Sequence, residues 1–220
     1  AYLKERMKDF VPGVASSSQN ISWGRIKESE ETTHISIIDA QGNAVAVTTT
    51  LNNSYGSKTV VGGAGFLLND EMDDFSAKPG VPNMYGAIGG QANAIAPGKR
   101  MLSSMTPTLV LQNGKPFLVI GTPGGTTIPT SVFQTIVNVI DFSMSTEDAV
   151  NNPKFHHQWL PDQIDVERTF PQATREALQK MGYKLRERGA IGRTEVIKVL
   201  PDGRFEGIAD SRGDDSAAGF

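Results

Sequence analysis

The sequence predicts a layered α+β domain. Alternating β-branched runs stand near 33–50 and 108–121, apolar residues at helical spacing follow over 130–181, and strand-like runs return near 195–209. Strands, then helices, then strands is the order of an α+β fold. The chain has 220 residues, 38% of them hydrophobic and 20% charged, which is enough to bury one sizeable core.

Thr33–Ala40 and Ala44–Thr50 alternate and are joined by Gln41-Gly42-Asn43, so they read as a hairpin. A second hairpin joins Thr108–Gln112 to Lys115–Gly121 through Asn113-Gly114, a dipeptide in which both residues tolerate positive φ. Pro116 has no N–H to give a neighbour, so part of that return strand is expected at an edge. Thr130–Phe142 reads as a helix, with Phe133, Ile136, Val137 and Ile140 at helical spacing. Thr146–Asn151 is a short helix, with Ser145 as its cap and Pro153 as its stop. Residues 171–181 form an amphipathic helix, with Pro171 near its start and Gly182 just beyond its end. Strands near 195–200 and 204–209 turn at Pro201-Asp202-Gly203.

Residues 1–31 differ in character. Val11-Pro12-Gly13, then Ala15-Ser16-Ser17-Ser18, then the mixed charges of Arg25–Glu31 read as an exposed connector. The opening Ala1-Tyr2-Leu3-Lys4 looks like the middle of a longer protein. With 21 basic and 24 acidic residues, the net charge of -3 offers no basic footprint for nucleic acid. No stretch approaches the ~18 apolar residues of a spanning helix. Cysteine is absent, which removes disulfides, thiolate metal sites and a cysteine nucleophile.

Three histidines are present, His34, His156 and His157, and all three read as structural. No Gly-x-Ser-x-Gly elbow accompanies them, and the adjacent pair is poorly spaced to chelate one metal. Thr32 is more informative. It ends an exposed acidic linker and opens a strand. If the Glu31–Thr32 bond were cut, Thr32 would carry a free α-amine beside its own hydroxyl. An unperturbed α-amine titrates near ~7.7–8.0, so it can take the hydroxyl proton at neutral pH. An intact amide nitrogen has no such basicity. Chemistry at Thr32 therefore requires cleavage at that junction.

Six ordered segments carry a resemblance: Thr32-Thr33-His34; Gly42–Thr48 with Thr50-Leu51-Asn52; Asn69–Phe75; Leu102–Thr108; Gly121-Thr122-Pro123-Gly124-Gly125; and Phe155–Pro161. Together with Lys78-Pro79-Gly80 they resemble the small, catalytic subunit of the γ-glutamyltranspeptidase family over most of residues 32–220. The resemblance implies the small-subunit half of a four-layer αββα N-terminal-nucleophile sandwich. It implies residues 1–31 as the end of the large-subunit region and processing linker, with cleavage between Glu31 and Thr32. It also implies a large-subunit partner from the same precursor, a periplasmic or extracellular location, and no metal or cofactor.

By the same resemblance, Thr32 is the nucleophile and Thr50 the hydroxyl that orients it. Asn52, Glu71 and Asp74 are similar to the site for the donor's α-ammonium, and two carboxylates with an amide oxygen suit a cation. Ser103 and Ser104 are similar to the donors to its α-carboxylate. Gly124 and Gly125 look like an oxyanion hole of backbone N–H groups. Tyr85 lies in Pro79–Gly90, which is similar to a lid loop over the γ-glutamyl pocket. The implied reaction transfers γ-glutamyl groups from glutathione or related donors to water, an amino acid or a peptide. Related amidohydrolases of the same fold, acting on glutaryl-cephalosporins or poly-γ-glutamate, are an alternative, as is an unprocessed non-catalytic subunit. Thr122 and the run Thr126-Thr127-Ile128-Pro129 depart from the family's more usual Ser and Ser-Arg-Ile, so the pocket rim beyond Gly125 is expected to differ. Arg212-Gly213-Asp214 looks like an adhesion tripeptide and is read as coincidence.

Overall fold

A computed structural model describes residues 32–83, 87–158 and 161–220. The connector of residues 1–31, with the Glu31 side of the expected cleavage junction, and Tyr85 lie outside the described residues. Strands β1 (Thr32–Ile38) and β2 (Ala44–Thr50) form an antiparallel hairpin in unbroken register, from Thr32 opposite Thr50 to Ile38 opposite Ala44. β1 stops two residues before the end expected from its sequence, because Asp39 leaves the ladder to close the turn. Its carboxylate accepts the Gln41 and Asn43 backbone N–H groups at 3.0 and 2.8 Å.

The central sheet has the order β3-β4-β8-β9, from Thr108–Gln112, Lys115–Gly121, Glu195–Val199 and Phe205–Ile208. Pro116 sits at a register shift opposite Leu111, and pairing of β4 to β8 begins only at Leu118. The missing N–H thus falls where β4 has one neighbour, as its sequence required. Helices α1 (Ile128–Ile140) and α2 (Thr146–Asn151) cover one face of this sheet. Leu118, Ile120, Val132, Val139, Val150 and Val196 are its buried core. The β1–β2 hairpin packs on the other face, against β3, β4 and β8. Helix, sheet and hairpin thus stack in successive layers.

Helix α1 corrects the sequence reading. It starts two residues early, since Pro129 belongs in a first turn where its missing N–H costs nothing. Its buried side is Ile128, Ser131, Val132, Thr135 and Val139, whereas Phe133 and Ile140 point outward, 63% and 47% exposed. α2 behaves as expected: the Ser145 hydroxyl accepts the Asp148 N–H at 3.0 Å, and Asn152 is extended ahead of Pro153.

A third sheet, β5-β6-β7, was not expected. It comprises Phe155–His156, Ile164–Glu167 and Leu185–Arg188, with helix α3 (Gln172–Lys180) as the crossover between parallel β6 and β7. β6 buries all four residues although two are acidic. Arg186 pairs with Asp165 at 2.8 and 2.5 Å. Arg212 holds Glu167 at 2.6 and 2.7 Å and Asp210 at 2.9 and 3.1 Å. Lys154, 2% exposed, joins the cluster through Asp210 at 3.3 Å and the Val150 carbonyl at 2.6 Å. Burial lowers the Lys154 pKa to about 8 despite the attraction of Asp210. Burial alone would raise Glu167, but hydrogen bonds from Arg212 and from the Lys154 and Ile191 backbone outweigh it and hold it below its usual range. The adhesion-like tripeptide thus spends its arginine, 11% exposed, inside the protein.

Candidate active site

Thr32 is the first residue of β1 and is 7% exposed. β-Branched alternation puts Thr32, His34 and Ser36 on the inward face of the hairpin, while Ile35 and Ile37 face out. His34 bonds Thr48 Oγ1 at 2.8 Å and Ser36 Oγ at 3.0 Å, and burial pushes its pKa down to about 4, so it is a neutral scaffold group near pH 7. Its imidazole lies flush on Gly121, where any Cβ would fall inside the ring. This contact ties the strand that begins at Thr32 to the strand that runs into Gly124-Gly125.

Thr50 stands opposite Thr32. Just beyond it Asn52 takes φ 74, a left-handed value that asparagine tolerates, and its N–H donates to the Thr50 hydroxyl at 2.9 Å. The 5%-exposed Asn52 side chain reaches the Asp70 carbonyl at 3.3 Å, while the Asp70 carboxylate accepts the Asn53 N–H at 3.0 Å. These bonds fasten the end of the hairpin to the 3-10 turn Glu71–Asp74. Burial raises the pKa of both carboxyls there. Asp74 and Asp70 add repulsion on Glu71, and Asp73 and Asp70 on Asp74. Crowded, partly desolvated carboxylates of this kind attract a cation.

Asn93, which the sequence reading did not single out, bridges the acidic turn to the serine segment. Its amide donates to the Asp74 carbonyl at 2.7 Å and its oxygen accepts the Leu102 N–H at 2.9 Å. Asp74, Ser104 and Thr126 line one cavity of about 210 Å³, whose wall includes Lys78 and, from the glycine- and proline-rich loop, Val81 and Ile88. Ser103 is exposed and its hydroxyl accepts the Met105 N–H at 3.2 Å, so only the second serine faces this cavity. Thr32, Asn52 and Glu71 are not among its walls.

Gly124 (φ 140, ψ 15) and Gly125 (φ 56) carry the chain from β4 into α1. The Gly124 conformation admits only glycine, and Gly125 lies in the left-handed region that glycine enters without penalty. The turn is braced from behind: Thr122, fully buried, bonds the Pro123 carbonyl at 2.7 Å and accepts the Arg193 N–H at 2.7 Å. His156 bonds Thr130 at 2.8 Å and Gln158 at 2.9 Å, a scaffold role like that of His34. No helix among the described residues is long and apolar enough to cross a membrane.

The family model for gamma-glutamyltranspeptidase matches residues 1–220. The chain is 49% identical over 223 residues to the glutathione hydrolase proenzyme of Escherichia coli (strain K12), covering 100% of this chain and 38% of that protein. It is 50% identical over 218 residues to that of Pseudomonas aeruginosa, covering 97% and 38%. It therefore spans about two fifths of the length of these relatives. A solved γ-glutamyltranspeptidase mutant from Helicobacter pylori superposes with a TM-score of 0.80 at 53% identity, covering 82% of this chain and 100% of that one.

Proposed function

The chain belongs to the γ-glutamyltranspeptidase family, and from that premise we propose that it is the catalytic part of an enzyme that cuts itself before Thr32 and then transfers or hydrolyses γ-glutamyl groups. The observation that carries this is the position of Thr32: first residue of β1, nearly buried, and opposite a second hydroxyl on Thr50. A large subunit from the same precursor completes the enzyme in this reading.

After cleavage, the Thr32 α-amine takes the proton of its own hydroxyl as Oγ attacks the γ-carbonyl of the donor. The negative charge that develops on the carbonyl oxygen meets the Gly124 and Gly125 N–H groups. As the tetrahedral intermediate collapses, the C–N bond breaks and the leaving amine takes the proton from the Thr32 ammonium. A γ-glutamyl ester of Thr32 remains. Water attacks to give glutamate, or an amino acid or peptide amine attacks to give a new γ-glutamyl amide, and Oγ recovers its proton. Glu71, Asp74 and Asn52 hold the donor's α-ammonium and the Ser103-Ser104 pair its α-carboxylate, with Ser104 as the member that faces the cavity. The raised carboxyl pKa values support this, because burial first and neighbouring carboxylates second raise them, and an incoming cation offsets both.

The test uses the full-length precursor. Intact mass and amino-terminal sequencing after incubation near neutral pH should give a new terminus reading Thr32-Thr33-His34, together with release of aniline from a γ-glutamyl anilide. Thr32→Ala should abolish both. A Thr32→Ala protein that still cuts itself or still releases aniline would remove Thr32 as the nucleophile.

A further inference from the structure

The peptide between Gly124 and Gly125 is gripped from one side. Thr127, 2% exposed, donates both its backbone N–H (3.1 Å) and its hydroxyl (2.8 Å) to the Gly124 carbonyl oxygen. In a trans peptide the N–H points opposite to the C=O. Holding the carbonyl toward Thr127 therefore turns the Gly125 N–H away from it, out of the turn. Thr127 is itself held: the hydroxyl of Thr130 lies 3.0 Å from its carbonyl oxygen and 2.8 Å from His156 Nδ1. One turn on, the Gln134 amide bonds the Phe155 backbone twice, at 2.7 and 3.1 Å. The first turns of α1 are thereby anchored to β5.

Glycine makes this brace necessary. A Gly-Gly peptide has little steric preference between its two orientations, and flipping it would exchange the N–H for the carbonyl oxygen. A carbonyl turned toward the developing oxyanion would repel it. Two hydrogen bonds to one buried oxygen oppose that flip, and only one of them comes from backbone.

We infer that Thr127 is a positioning residue whose hydroxyl sets the direction of the Gly125 N–H toward the reacting carbonyl oxygen. The inference rests on the oxyanion role proposed above for Gly124 and Gly125. Thr127 is almost fully buried and both its N–H and its hydroxyl are committed to the Gly124 carbonyl, so it acts on the reaction through Gly124 and not by touching the donor.

The experiment compares Thr127→Val, which keeps the shape and loses the hydroxyl, with Thr127→Ser, which keeps the hydroxyl and loses a methyl. Both are made in the full-length precursor, and rates of γ-glutamyl anilide turnover are normalised to the processed subunit measured by mass. Losing a whole oxyanion donor costs ~10²–10³ in kcat, so a misdirected one should cost ~10-fold or more. Thr127→Val is expected to lose kcat to that extent with KM changed less than ~2-fold, and Thr127→Ser to stay within ~3-fold of the parent. An unchanged kcat in Thr127→Val, a loss confined to KM, or equal losses in both variants would overturn the inference. Should Thr127→Val fail to mature, Thr127→Ser decides: parental kcat supports the inference, and the same failure overturns it. A parent enzyme with no turnover at all would instead defeat the acyl-transfer reading on which the inference stands.

Discussion

Thr32 and Thr50 occupy the first rung of the β1–β2 ladder, and the Thr50 hydroxyl accepts the Asn52 N–H at 2.9 Å. A hydroxyl can accept one hydrogen bond and donate another, and Thr32 is the residue across from it. Thr50→Val, which keeps the β-branched shape, should lower kcat ~10- to 100-fold, the range of a hydrogen bond worth about 1.5–3 kcal/mol to a charged or developing-charge partner. Thr50→Ser should retain most activity. Steady-state kinetics on processed enzyme checks this, and a Thr50→Val variant with parental kcat would remove the orienting role.

The crowded carboxyls predict an acid limb in donor capture. Burial, then mutual repulsion, raises the Glu71 and Asp74 pKa values, so as pH falls they protonate earlier than ordinary carboxylates and lose their hold on an ammonium group. A bound ammonium pulls both pKa values back down. The acid limb should therefore lie at higher pH in kcat/KM, which reports the free enzyme, than in kcat. Glu71→Gln and Asp74→Asn should each raise KM by ~10- to 100-fold through loss of a charge-assisted bond. Acid limbs that stay in place in both variants would show that other groups control the profile.

Arg212 predicts a large stability effect far from the chemistry. Its guanidinium neutralises Glu167 and Asp210, both almost fully buried, and reaches the Val150 and Asn152 carbonyls at 3.0 and 2.9 Å. Arg212→Ala leaves two buried carboxylates with only Lys154 in compensation, and breaking a buried pair on one side costs about 3–5 kcal/mol. Chemical denaturation of the processed protein should show that loss. A cost below ~1 kcal/mol would mean that water reaches the cluster and screens it.

The contrast between these sites explains what was legible in the sequence. The β1–β2 and β3–β4 hairpins, α2 and the β8–β9 pair announce themselves through local rules: alternation, Asn113-Gly114, a Ser145 cap. The β5-β6-β7 sheet obeys none of them. β6 buries Asp165 and Glu167, and β7 is Leu-Arg-Glu-Arg, a pattern that reads as surface until Arg186 and Arg212 are seen beside the acids. Long-range ion pairing leaves no periodic trace in a chain. The same limit hid Asn93 and the brace formed by Thr127, Thr130 and His156. Their bonds run to backbone atoms or distant side chains, so composition could not single them out. Phe133 and Ile140 show the opposite error, since apolar spacing marks a helix face but not which layer covers it.

Glu195 gives the sharpest dependence of stability on pH. Its Oε2, like Oδ2 of Asp215, is buried with no hydrogen-bond partner among the described residues. Burial first, then the Asp215 charge, raises the Glu195 pKa to about 8, against an ordinary value of 4.5. Below the unfolded value both states carry the proton and the group contributes no pH dependence. Between the two values the unfolded chain has released a proton that the folded chain keeps, so fewer protons are bound on unfolding and stability falls as pH rises. Above about 8 both states are ionised and the penalty is complete. Glu195→Gln removes the titration while keeping the shape. Its melting temperature should match the parent near pH 4.5 and exceed it by on the order of 10 °C near pH 8, at ~1.4 kcal/mol per pKa unit and roughly 2–4 °C per kcal/mol for a domain of this size. The gap between the two proteins should widen steadily across that window. A gap that is constant with pH would show that Glu195 is ionised in the folded protein throughout, with Arg193, 3.6 Å from Asp215, balancing the pair.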